Sequence, residues 1–164
     1  MTGAVIFDLD GTLVNLPIDY EELFRKISEI AKIEDVHPIT KTVSKLDEKT
    51  KSKAFKIWDE VEAEAWKEGG IKREGIALYQ KFRNEKKALV TMQGKTLTRK
   101  IISSLKLSFD TVVTREDALD RAEQLRIAAR KLDVPLKDVL FVGNTEGDSA
   151  ASNNVECQFL RVEE

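Results

Sequence analysis

Apolar positions fall in two rhythms along this chain. Ala4 to Leu9 is a compact run interrupted only by Asp8, and it ends in carboxylates. Such a run reads as a buried strand whose carboxyl end meets solvent. Asp10-Gly11 then turns the chain. From Asp19 the period becomes helical: Asp19 and Glu22 have capping-box spacing, and Leu23, Phe24, Ile27, Ile30 and Ala31 share one face. Pro38 interrupts this pattern. A second helix is expected from near Asp47 to Glu68, with Phe55, Trp58, Val61, Ala65 and Trp66 as its apolar stripe and Gly69-Gly70 as its stop. A third is expected over Lys72 to Asn84, burying Ile76, Tyr79 and Phe82.

After Lys87 strands and helices alternate. Strands are expected at Ala88–Met92, Phe109–Thr114, Val139–Val142 and Gln158–Val162, with helices at Lys95–Leu105 and Ala122–Leu132 and a short one before the last strand. Alternation of this kind gives a parallel sheet covered on both faces. The first strand is separated from the next by an all-helical stretch, so residues 15–86 are expected to be an insertion into a core built from 1–14 and 87–164.

Composition narrows the function classes. The 164 residues carry 27 Lys and Arg against 29 Asp and Glu, a net charge of −2. That balance offers no broad footprint for nucleic acid or an anionic membrane, so neither is expected as a partner. The lysines at 41, 45, 49, 51, 53 and 56 read as a solvated face that can also draw an anion. One cysteine, Cys157, and one histidine, His37, exclude a multi-cysteine zinc site and most histidine-centred chemistry. The N-terminal apolar run is short, lacks a basic leader and contains two carboxylates, so neither a signal peptide nor a membrane span is expected. A cytoplasmic monomer or homodimer acting on a small soluble ligand is the expectation.

In an open α/β sheet, ligands bind at the carboxyl ends of the strands. That rule gathers Asp8 and Asp10 after the first strand, Thr91 after the second, and Gly143-Asn144 with Asp148 after the fourth. Two carboxylates two residues apart on a tight turn can share Mg²⁺ with a phosphate, since hard oxygen ligands suit that ion. Asp148 supplies a third carboxylate. Each feature also has a plainer reading: a turn at Asp10-Gly11, a strand-end Thr91, a helix N-cap at Asp148.

The segment FDLDGTL at Phe7 to Leu13 resembles motif I of the haloacid dehalogenase-like superfamily. The resemblance continues through VTMQGK at Val90 to Lys95 and VGNTEGD at Val142 to Asp148. It implies a Rossmann-like core with a small helical cap of the C1 type, hinged near Leu13–Pro17 and Glu85–Lys87. It also implies a nucleophilic Asp8, Asp10 as general acid and base, and Mg²⁺ held by Asp8, Asp10, Asn144 and Asp148. Thr91, the backbone of Met92 and Gly94, and Lys95 would bind phosphate. The activity implied is hydrolysis of a small phosphomonoester, with phosphoglycolate phosphatase-like enzymes as the nearest group. A small phosphorylated metabolite would be the substrate.

Two departures stand out. The family's lysine before the fourth strand is missing, and Arg121 lies about two positions out of register with it, with Arg115 further off; Arg121 also reads as a surface ion-pair residue. Where the family has an acid after the Gly, this chain has Asn144, which leaves Glu146 to compensate. A catalytically weakened phosphate- or partner-binding protein and a phosphomutase therefore stay open beside the phosphatase.

Overall fold

The computed structural model describes residues 3–163. Among these, β1 (Ala4–Asp8), β4 (Lys86–Val90), β5 (Thr111–Val113), β6 (Val139–Gly143) and β7 (Gln158–Arg161) form one sheet in the order β5-β4-β1-β6-β7. Every pairing in it is parallel. Strand β1 is buried at all five positions, as a central strand must be. Its side chains alternate between two cores. Ala4 and Ile6 join Val90, Leu125 and Phe141 on one face, whereas Val5 and Phe7 join Leu89, Ile101 and Tyr79 on the other. Full burial of a side chain such as Ile6 or Phe7 stabilises the fold by roughly 1.5–3 kcal/mol.

Register sets the site. Asp8 lies opposite Val90, and Phe7 opposite Val142, so three strands end at one level. Helices α5 (Lys95–Ser104), α6 (Arg121–Leu132) and α7 (Glu146–Val155) cover the sheet.

Between β1 and β4 the chain forms α1 (Tyr20–Ala31), α2 (Ile39–Ser44), α3 (Glu48–Trp66) and α4 (Arg73–Lys81). Asp19 caps α1 through the Glu22 N–H at 3.0 Å, and Asp47 caps α3 through the Thr50 N–H at 2.8 Å. Leu23, Ile27, Val43, Ala54, Trp58 and Val61 make a separate small core from α1, α2 and α3. Helix α2 has six residues, too few to show a period in the sequence.

One feature differs from expectation. Val14–Asn15 (β2) pairs antiparallel with Gly70–Ile71 (β3), making a ribbon where hinge loop was expected. Helix α4, within the expected insertion, packs its apolar face against the sheet. The Tyr79 ring meets Phe7 at a tilt with centres 6.0 Å apart and Phe109 edge to face at 5.6 Å. Gly75 sits so close to the Thr12 carbonyl that a Cβ has no room. Ala65 and Trp66, at the end of α3, join the same apolar cluster as Tyr79 and Phe7.

Candidate active site

Asp8 closes β1, and the chain then turns on itself: the Leu9 carbonyl accepts from the N–H groups of Leu13 at 2.9 Å and Val14 at 3.1 Å. Gly11 takes φ +81°, a conformation that favours glycine. A Cβ there would run into the Asn144 amide, so the turn also admits the loop after β6. Asp10 turns one oxygen to the Leu16 N–H at 2.9 Å. Asn144, oriented to satisfy both ends of its amide, donates to Asp8 Oδ2 at 3.1 Å and to the Asp10 carbonyl at 3.3 Å.

A cavity of about 370 Å³ receives Asp8, Asp10, Tyr20, Gln93, Arg121, Asn144 and Asp148. A neighbouring cavity of about 470 Å³ shares Met92, Arg121, Thr145 and Asp148 with it and runs along Leu119 to Thr40, Lys41 and Ser44 of α2. Asp148 belongs to a capping box with Thr145 at the start of α7 and also accepts from the Asn144 N–H at 3.1 Å. The N-cap of α7 is thus Thr145, not Asp148, which sits at the third position of the helix, completes the capping box and lines the cavity.

Arg121 is the cation of this site. Its Nη2 donates to Asp8 Oδ1 at 2.9 Å, its Nε to Asp148 Oδ1 at 3.0 Å and its Nη1 to Gln124 Oε1 at 2.7 Å. Burial pushes Asp8 up to about 7 against the pull of Arg121, with Asp148 and Asp10 adding to the rise. Burial likewise raises Asp10 to about 6, opposed by N–H donation from Leu16 and Gly11. In metal-free protein both carboxyls thus resist ionisation in the same cavity.

Other expected residues are placed differently. Thr91 is fully buried with its hydroxyl turned to Gln93, so Met92 and Gln93 line the cavity in its stead. The Gly94 N–H is taken by Glu62 Oε1 at 3.2 Å. Lys95 lies in another cleft, with Arg99 and Lys131 near the β5 edge, and its N–H donates to Glu116 at 2.8 Å. Glu146 does not turn inward: it is exposed and pairs with Arg161 at 2.6 Å.

The sequence reading missed a buried cluster where cap meets core. Arg115 is fully buried, donating to Glu62 Oε1 at 2.7 Å and to the Met92 carbonyl at 3.0 Å, and it pairs with Asp59. Its guanidinium lies 4.3 Å from the Trp58 ring centre. One signal existed: Glu62 interrupts the apolar positions 58, 61 and 65 of α3 at helical spacing.

The potential metal donors Asp8, Asp10, Asn144 and Asp148 offer only oxygen, the chemistry Mg²⁺ takes. Among the described residues no three acidic, histidine or cysteine groups are gathered as a ready metal cluster. The resistance of buried Asp8 and Asp10 to ionisation is the deficit a cation would offset.

The haloacid dehalogenase-like hydrolase family matches residues 5–162. The chain belongs to that family. Solved structures sharing its Rossmann-like fold include a haloacid dehalogenase-like family hydrolase from Streptococcus pneumoniae, with 18% identity over 99% of this chain and 85% of that one at a TM-score of 0.72. A phosphoglycolate phosphatase-like protein from Lactobacillus plantarum shares 19% over 97% and 86% at 0.64. CbbY from Rhodobacter sphaeroides, solved with phosphate, shares 15% over 100% and 87% at 0.67. No curated protein matches the chain significantly. As a haloacid dehalogenase-like hydrolase, the chain has no helix among its described residues long and apolar enough to cross a membrane.

Proposed function

We propose that this hydrolase is a Mg²⁺-dependent phosphatase that cleaves a small phosphomonoester through an aspartyl phosphate on Asp8. The observation that carries the reading is Arg121, which ties Asp8 to Asp148 while Asp10 faces the same cavity. Asp8 attacks phosphorus as the bond to the leaving oxygen breaks, and Asp10 gives that oxygen its proton. Asp10 then takes a proton from a water that attacks the aspartyl phosphate, which releases phosphate and restores Asp8. Asp8, Asp10, Asn144 and Asp148 would hold the metal, which supplies charge neutralisation and in-line orientation when bound. Arg121 provides the fixed positive charge beside the nucleophile that the family's lysine supplies elsewhere. The cavity running to α2 has room for the leaving group.

The test is phosphate release from para-nitrophenyl phosphate and a panel of small phosphomonoesters, with and without Mg²⁺, for the native chain and Asp8→Asn. Turnover that needs both Mg²⁺ and Asp8 is expected. A folded, Mg²⁺-loaded protein that releases no phosphate from any ester would overturn the reading.

A further inference from the structure

Gln124 lies one turn after Arg121 on the same face of α6, and it is fully buried. Both ends of its amide are used. Oε1 accepts from Arg121 Nη1 at 2.7 Å, while Nε2 donates to the Thr91 carbonyl at 2.9 Å and the Ala118 carbonyl at 3.0 Å. We propose that Gln124 is a positioning residue that fixes the Arg121 guanidinium against Asp8. An arginine out of register with the family's lysine can thereby serve the same nucleophile. The proposal rests on the phosphatase reading above.

The guanidinium is held at three different nitrogens by three residues. A planar fork fixed at three points cannot turn about its own axis. Without the Gln124 acceptor, two carboxylates compete for the group, and a side-on pair with Asp148 alone satisfies two of its nitrogens while abandoning Asp8. The chemistry of position 124 is narrow. It must accept from an arginine and donate to two carbonyls from one buried side chain, which an amide does. A carboxylate has no proton for the carbonyls, and an ammonium has no lone pair for Arg121. By holding the Thr91 carbonyl as well, Gln124 sets the distance between the β4 end and the cation.

A double-mutant cycle tests this. Gln124→Met and Arg121→Met are made singly and together, and kcat and KM are read on para-nitrophenyl phosphate with saturating Mg²⁺. Orthophosphate affinity is measured by calorimetry and thermal midpoints are recorded. Expected is a loss in kcat of about tenfold or more for Gln124→Met with KM within about threefold, and no further loss when Arg121 is already Met. Equal fold-losses in both backgrounds would overturn the proposal and make Gln124 a packing residue, whose thermal cost is the same with or without Arg121. If Gln124→Met does not fold, Gln124→Asn, which retracts the amide by one methylene, enters the same cycle. Absence of turnover in the native chain would sink the phosphatase reading alone. The cycle on orthophosphate affinity then decides Gln124: coupling supports it, and multiplicative losses overturn it.

Discussion

Arg121 Nη2 stands 2.9 Å from Asp8 Oδ1, an ion pair closed between residues 113 positions apart. Both side chains are largely buried, so the pair acts in a medium where charge is poorly screened. Arg121→Met leaves Asp8 and Asp148 without the guanidinium that spans them. We expect kcat/KM on an aryl phosphate to fall about a hundredfold or more, roughly 3 kcal/mol of transition-state stabilisation. Arg121→Lys should lose less, about tenfold, because an ammonium keeps the charge but not the fork that spans both carboxylates. Steady-state kinetics on the three proteins measures this, and an Arg121→Met variant as active as the native chain would refute the role.

The Arg115–Glu62 pair joins α3 to the loop after β5, and neither side chain is exposed. Burial pushes Glu62 up to about 7 even with Arg115 beside it. Removing the arginine strands a buried carboxylate, and Arg115→Met is expected to destabilise the protein by about 3 kcal/mol at pH 8. Changing both residues to Met should recover much of that loss. Urea denaturation of the single and double variants provides the comparison.

Long-range partnerships explain where the sequence was legible and where it was not. Strand β1 was readable because a compact apolar run with carboxylates at its end has few other uses, and the later strands because they alternate with amphipathic helices. The stripe of Ile76, Tyr79 and Phe82 announced that α4 is buried, but no local pattern states against what; Phe7 and Phe109 answer that only in space. Ribbon β2–β3 rests on two-residue strands and carries no period. At the site, Asp8 and Asp10 are fixed by a local turn, whereas Lys95 and Arg121 both begin helices and differ only in which way the helix faces. Arg115 was undervalued because its partners, Asp59 and Glu62, belong to another helix.

Stability should fall as pH rises through the weakly acidic range in metal-free protein. Burial raises Asp8 to about 7, Asp10 to about 6 and Glu62 to about 7. Each folded-state value lies above that of the unfolded chain, so the folded state binds more protons between about pH 4 and 7. The stabilisation from protonated carboxyls is complete below about pH 4 and is lost as pH climbs to about 7. Asp8→Asn resembles the protonated form at every pH. Its thermal midpoint at pH 8 with chelator present should exceed that of the native chain by several degrees, corresponding to about 1–3 kcal/mol, and the gap should narrow at pH 5 and close below about pH 4. Calorimetric scans across this range check the sign, and a variant less stable than native at pH 8 contradicts it.

Asn144→Asp should change sign with Mg²⁺. The amide now donates to Asp8 Oδ2 at 3.1 Å, so a carboxylate in its place meets Asp8 acceptor to acceptor. In chelator the variant is expected to lose about 1–2 kcal/mol, since like charges crowd a buried cavity already holding Asp8, Asp10 and Asp148. With the ion present the same carboxylate adds a negative oxygen ligand, and charge count is what tightens such sites. Half-saturating Mg²⁺ should fall roughly tenfold, and the rise in thermal midpoint on adding Mg²⁺ should exceed that of the native chain. Mg²⁺ titrations followed by thermal unfolding and by phosphate release read both effects. A variant whose Mg²⁺ requirement does not move would remove position 144 from the metal site.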